Sequence, residues 1–204
     1  MIKKFIIIPV FLVSGFTGYS QNQDLIRDCQ KLILKTFRYY DLNPVHQMET
    51  DFINSKFQTI LLKRNKTTLT SDYNSEIESL FHLIYDNGTN EYEDSPDYRR
   101  LRMRRAICFA SIALISDFHK AYTFIEYAKL SLLEHIDTPD DDLLEESFLG
   151  LMIIEIMLKI DENRLTVIDI DNLESYLNLK KEMIEKQIYD NSQVLIKKCR
   201  LIFK

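Results

Sequence analysis

Apolar side chains recur along this chain at intervals of three and four, the spacing that lines one face of an α-helix. Leu25, Ile26, Cys29, Leu32, Ile33, Phe37 and Tyr40 form such a face and predict a first helix over about 23–40. A second is expected from Pro44 to about Lys63, followed by a polar loop at 64–72. A third, about 72–86, ends at Asn87-Gly88, a pair suited to a left-handed helix cap. The acidic loop 90–95 leads into a fourth helix, about 96–116. Its segment 106–115 is apolar except for Ser111, so it should be buried on every side. The fifth helix, about 118–135, carries Phe118, Ala121, Ile125, Ala128 and Leu132 in one stripe. The sixth, about 139–160, holds the nearly unbroken apolar run 148–158 and should also be central. Residues 161–171 are ambiguous, and Val167-Ile168 fits a short strand or a buried loop. A last helix is expected from near Asn172 without interruption to Phe203. Leu173, Leu177, Ile184, Ile188, Leu195, Cys199 and Ile202 keep one face across Asp190-Asn191-Ser192.

Glycine and proline usage supports an all-α fold of antiparallel helical hairpins, about seven helices in all. Beyond residue 20 the chain holds two glycines, Gly88 and Gly150, and three prolines, each after a favoured cap residue: Asn43-Pro44, Ser95-Pro96 and Thr138-Pro139. Proline suits the first helical position because its missing N–H would be unpaired there anyway. A β-rich chain of this length would need more turn glycines.

The first twenty residues read differently. Lys3 and Lys4 precede an apolar core at 5–16, and Gly18-Tyr19-Ser20 offers small residues at the −3 and −1 places of a cleavage site. That layout predicts a signal peptide, 1–20, cut before Gln21, and a single helical domain over 21–204. The apolar run is shorter than the roughly 20 residues a spanning helix needs, so no transmembrane anchor is expected after cleavage. A signal ending in Ser-Gln resembles bacterial ones and implies a periplasmic or secreted protein. Loss of its two lysines makes the formal charge of −5 more negative still. Such a balance argues against a nucleic-acid partner, whose binding surfaces are usually basic. The three cysteines, Cys29, Cys108 and Cys199, have apolar neighbours at helical spacing. Buried thiols acting as small hydrophobes are the favoured reading. A Cys29–Cys199 bridge tying the two ends together is the alternative.

The segment 118–132 resembles the second helix of a tetratricopeptide repeat, with Ala121, Ile125 and Ala128 in its small, large and small places. Leu149-Gly150 followed by Ile153 is similar to the first helix of a further unit. The pattern departs elsewhere. Phe109 occupies the usual glycine place, Glu162 and Asp169 stand where small residues belong, and the step from Phe109 to Gly150 exceeds the repeat of about 34 residues. The resemblance covers about 99–160 and implies a right-handed helical array with a concave surface for protein or peptide; an irregular helical bundle is the other architecture.

Candidate chemistry is sparse. Arg99, Arg100, Arg102, Arg104 and Arg105 cluster at a helix start, where the dipole disfavours cations. Ion pairing with Glu91, Glu93, Asp94, Asp97 or the acidic start of the sixth helix explains them most simply. An anion site built on arginine's planar fork is the functional alternative. The acidic run 137–146 lacks the ligand order and turn glycine of a calcium loop and reads as helix-start electrostatics. His46, His82, His119 and His135 match no metal-binding spacing, and Glu78–His82 reads as a surface helix pair. Glu155 interrupts an apolar run, with Lys159 one turn later placed for an exposed ion pair. Neither a phosphate-binding glycine loop nor a serine nucleophile elbow occurs, and no cofactor or catalytic residue is expected. The leading expectation is therefore an extracytoplasmic binding or scaffold module for another protein or peptide. An anion binder using Arg99–Arg105 comes second, and an all-α hydrolase or lyase without a recognisable motif comes third.

Overall fold

In the computed structural model, residues 13–38, 47–64, 73–85, 97–133 and 142–203 are described, with side chains omitted at 13–21, 73–74, 85, 97–100, 118 and 142–143. Every regular element among them is helical. There are eight α-helices: α1 Val13–Thr36, α2 Gln47–Lys63, α3 Tyr73–Tyr85, α4 Asp97–Ile115, α5 Phe118–Leu133, α6 Asp142–Asp161, α7 Val167–Leu179 and α8 Lys186–Arg200, with 3-10 turns at Lys181–Met183 and Leu201–Phe203. None of the described helices is long and apolar enough to cross a membrane.

The two apolar runs organise the rest. On α4, Ala106, Ile107, Cys108, Ala110, Ile112 and Ala113 are wholly buried, and on α6 so are Leu149, Leu151, Ile153, Ile154, Met157 and Leu158. A helix without a polar face must be covered all round. Accordingly α4 is packed by α2, α3 and α5, while α6 is packed by α1, α5 and α7, and the two touch each other. Helix α8 closes the assembly against α1 and α7.

Helix α4 turns into α5 over Ser116-Asp117 alone. The Ser116 hydroxyl donates back to the Ile112 carbonyl at 2.7 Å, and the Asp117 carboxylate accepts from the Lys120 N–H at 3.1 Å. That cap bond satisfies an amide with no partner inside the helix and holds the Asp117 carboxyl below the usual aspartate range. The buried stripe of α5 is Ala121, Ile125, Ala128 and Leu132. Helix α5 packs along α4, which carries Ala106, Ala110 and Ala113 among its buried residues.

The carboxyl-terminal region corrects two expectations. Val167-Ile168 is neither strand nor buried loop: it is the exposed first turn of α7. The preceding helix stops because Asn163 takes a left-handed conformation, φ 55°. Its N–H then bonds the Ile160 carbonyl while Arg164 bonds that of Lys159, which closes the end of α6. Three residues on, Thr166 and Asp169 cap one another's backbone reciprocally and start α7. The expected unbroken last helix is two helices. Continued helically, the apolar face of Leu173 and Leu177 would meet Lys180 and Lys181. Instead the chain leaves the helix at Lys180, whose ammonium lies 2.6 Å from Glu145 on α6. It passes through a 3-10 turn and an extended Ile184 (φ −112°, ψ 130°) before α8 doubles back along α7. Asp190-Asn191-Ser192 lies inside α8, where buried Ser192 returns its hydroxyl to the Ile188 carbonyl at 2.8 Å.

Helix α1 begins at Val13, upstream of the expected cut, and ends at Thr36. It runs antiparallel to α6. Asn22 donates to Asn163 at 2.9 Å at one end, and Gly150 lies under Thr36 and Phe37 at the other. A Cβ at Gly150 would stand 2.7 Å from Phe37 Cβ and 2.8 Å from Thr36 Oγ1. In an open helix, replacing glycine by alanine gains about 1 kcal/mol. Here the added methyl meets atoms held close to a backbone, so Gly150→Ala should destabilise the fold by about 1–3 kcal/mol. A lowered urea midpoint at unchanged slope is expected, and a midpoint equal to or above that of the parent chain would refute the close crossing.

Candidate interaction surface

The arginine cluster is drawn mostly inward. Because α5 is antiparallel to α4, the carbonyls at the end of α5 come alongside the start of α4. The Arg102 guanidinium donates from Nε to the Ser131 carbonyl at 3.1 Å and from Nη2 to the Leu132 carbonyl. The negative end of one helix dipole thus offsets the positive end of the other. Arg104 is 1% exposed and places Nη1 2.5 Å from Oε1 of Glu49 on α2. Neither Glu49 nor the α5 carbonyls could be picked out by sequence separation. Arg105 is half-buried. Arg99 and Arg100 lie on the backbone of α4 with their side chains outside the described residues, as do the side chains of Glu91, Glu93, Asp94 and Asp97. Arg64 repeats the Arg102 arrangement at the opposite end. Nη1 donates to the Leu114 carbonyl near the end of α4, and Nη2 lies 3.7 Å from Asp161.

Beside this hairpin lies an aromatic surface that the sequence reading did not single out. Phe124 on α5 stacks on Phe109 of α4 with centroids 6.4 Å apart, and meets Phe81 of α3 edge-on at 6.0 Å. Tyr127 touches both, at 5.5 Å from Phe109 and 6.3 Å from Phe124. The strip continues along α5 into solvent: Tyr127 is 47% exposed, Leu130 56% and Leu133 45%. Phe124 and Tyr127 each stand one place before a residue of the core stripe, and Leu130 and Leu133 continue from them at three-residue steps. That second periodicity was the available signal.

The other flank of α5 is ionic. Lys129 lies 2.8 Å from both Glu126 and Glu155. Glu155 also receives Lys159 at 2.6 Å, and Lys159 reaches Asp169 on α7 at 2.6 Å. The Lys159 ammonium sits 5.5 Å over the Tyr122 ring. The expected Glu155–Lys159 pair is present, but half-buried and joined to two further helices. Burial alone would raise the Glu155 carboxyl; the hydrogen bonds from Lys129 and Lys159 outweigh it and hold the group below the usual glutamate range. Burial would likewise lower Lys159, and its bonds to Asp169 and Glu155 raise it instead. Asp169 is lowered by Lys159 and Thr166 against the effect of burial. These are ordinary charged forms made firmer, unsuited to proton transfer near neutral pH.

The remaining candidates are dispersed. Glu145 takes the Tyr176 hydroxyl as well as Lys180, Glu146 accepts from the Glu185 N–H at 2.9 Å, and Asp171 pairs with Arg200 at 2.8 Å. The rest of the 137–141 acidic run, His46 and His135 lie outside the described residues; Glu78, His82 and His119 are exposed. Among the described residues no three histidine, cysteine, aspartate or glutamate side chains converge as a metal site would require. No protein-family model matches this chain, and comparison with curated proteins and with solved structures likewise gives no match.

The ionic flank has a pH signature. Carboxyls lowered on folding contribute stability that is present above their unfolded values, 4.5 for Glu155 and 3.8 for Asp169, and that is lost as pH falls through the lower folded values. Stability measured by urea unfolding should therefore decline below about pH 5. Glu155→Gln, which leaves two half-buried lysines short of a counter-charge, should cost about 1–3 kcal/mol at pH 7 and flatten that decline. A variant as stable as the parent at pH 7, with the same acid slope, would remove the network from the forces holding α5 to α6.

Proposed function

We propose that this chain is an exported helical adaptor that docks another extracytoplasmic protein or peptide on the aromatic and aliphatic strip of α5. The observation that carries this reading is the surface Tyr127–Leu130–Leu133, backed by the ring contacts of buried Phe109 with half-buried Phe124, and of Phe124 with half-buried Phe81. Exposed apolar side chains grouped along one helix are the kind of surface on which a partner can dock. Aromatic anchors set in packed surroundings are the side chains that dominate binding energy, because little of their freedom remains to be lost. The strip lies on the α4–α5 hairpin, the segment that resembles a tetratricopeptide unit, and the small residues at Ala121 and Ala128 support that kind of pairing. Export rests on the three-part leader. The α1 side chains described in the core, from Leu25 to Phe37, lie downstream of Ser20, so a cut before Gln21 removes none of them.

Leu130→Asp and Tyr127→Ala alter exposed positions and should leave the circular dichroism and the urea midpoint unchanged. Both should weaken capture of a partner from the native extracytoplasmic fraction by about tenfold or more. Equal retention by parent and variants, or no retention by either, would overturn the adaptor reading. Intact mass of the native protein should correspond to a chain starting at Gln21; an intact Met1 in a cytosolic fraction would overturn export.

A further inference from the structure

The pairing of α1 with α8 places two of the three cysteines, all of them free thiols in the structure, on helices that pack together. Lys198 lies 2.6 Å from Asp28 across this helix pair. The next residue on each helix is a cysteine, and both are sealed from water, Cys29 at 0% and Cys199 at 1% exposure. The helices pack directly on one another here, with Leu25 and Leu32 on α1 and Leu195 and Ile196 on α8 buried around the thiols. Cys108 lies elsewhere, on α4, where the charges that reach it are Arg104, Glu49 and Lys56. Two of the buried thiols thus lie on packed helices, and the third lies on a different helix.

We propose that Cys29 and Cys199 are a folding-coupled oxidation site, joined in the exported protein by a disulfide that ties the first helix to the last. The reaction is thiol–disulfide exchange with an external disulfide, either glutathione disulfide or an exported dithiol oxidase. One cysteine thiolate attacks a sulfur of the oxidant and expels one thiolate. The second cysteine thiolate then attacks the mixed disulfide and expels the other. Two S–H bonds are lost and one S–S bond forms; the oxidant leaves as two thiols, which take up the two protons. The timing follows from burial. Once α8 is docked, desolvation holds Cys29 far toward its neutral form, the nearby Cys199 opposes its ionisation further, and Cys199 itself is pushed up to about 11. A buried neutral thiol is a poor nucleophile, so exchange takes place while α8 is still undocked. The finished bridge closes nearly the whole mature chain into one loop, the case in which a cross-link restricts the unfolded ensemble most.

The supply of oxidant in the cell rests on the export reading; the pairing itself does not. The purified chain, reduced and unfolded, is refolded in a glutathione buffer poised for oxidation, then denatured and alkylated without reductant. Alkylation at Cys108 alone and a cross-linked peptide joining Cys29 to Cys199 are expected. The thermal midpoint should rise over that of the reduced chain. Dithiothreitol should abolish the rise, Cys108→Ala should retain it, and Cys199→Ala should lack it. Three alkylated cysteines, or a bridge involving Cys108, would overturn the proposal. Because the tube supplies the oxidant, that failure is distinct from finding an intact Met1 in the cytosol, which strikes only at export.

Discussion

Two helices of this chain carry apolar residues around most of their circumference, and the remaining helices are disposed to cover them. α4 and α6 carry apolar residues through successive turns, so each must be covered on more than one side. Close approach is eased by small residues, and buried ones lie on packed helices: Ala106, Ala110 and Ala113 on α4, Ala121 and Ala128 on α5, and Gly150 beneath Thr36 and Phe37. Polar groups on the two helices are then forced into internal solutions. Ser111 and Ser116 return their hydroxyls to carbonyls one turn back. Arg102 and Arg104 reach neighbouring helices.

Long cations at helix carboxyl ends form the second layer of organisation. Arg102 terminates α5, Arg64 terminates α4, and Lys198 and Arg200, in the last turn of α8, pair with α1 and α7. Each joins an end of dipole charge or a carboxylate to a chain segment distant in sequence. Such contacts contribute modestly at an exposed surface. Where the guanidinium is buried, as for Arg102 and Arg104, losing the partner would strand a charge out of water, a far larger cost. These contacts therefore specify which helix meets which, beyond what the nondirectional burial of apolar area can select.

The legible parts of the fold are those with local causes. The helical period of apolar residues gave the fold class, the first six helices and the centrality of α4 and α6. The cap candidates Asn43-Pro44, Asn87-Gly88, Ser95-Pro96 and Thr138-Pro139 lie outside the described residues. The misread parts fall into two kinds. At α7 the local signal was present: Asn163 as a left-handed cap and Thr166-x-x-Asp169 as a capping box. It was outweighed there by the β-branched pair Val167-Ile168. At the α7–α8 corner, the periodicity of Leu177, Ile184 and Ile188 survives the break because both helices bury those residues in the same core. The two lysines between them were the sign that the face is interrupted. The partners of Arg102, Arg104 and Lys159 were of another kind. Glu49, the α5 carbonyls and Asp169 become neighbours only through helix packing, and no spacing rule within one helix can name them.

Helix α5 shows how these layers jointly fix a surface. Its buried stripe, Ala121, Ile125, Ala128 and Leu132, is covered by the helices packed on it, α4 and α6. Lys129 projects on another flank and is held by Glu155 of α6 at 2.8 Å. A roll of α5 by one residue, about 100°, would drive Tyr127 or Lys129 into the space that Ala128 fills and break the Lys129 contact. The helix therefore has one rotational setting, and Tyr127, Leu130 and Leu133 are exposed by constraint. A nondirectional core alone would favour turning those leucines inward. That they stay in water follows from steric closeness on one side and a half-buried ionic clamp on the other. Both are in place before any partner arrives, so a protein docking on the strip would meet anchors whose positions are already set.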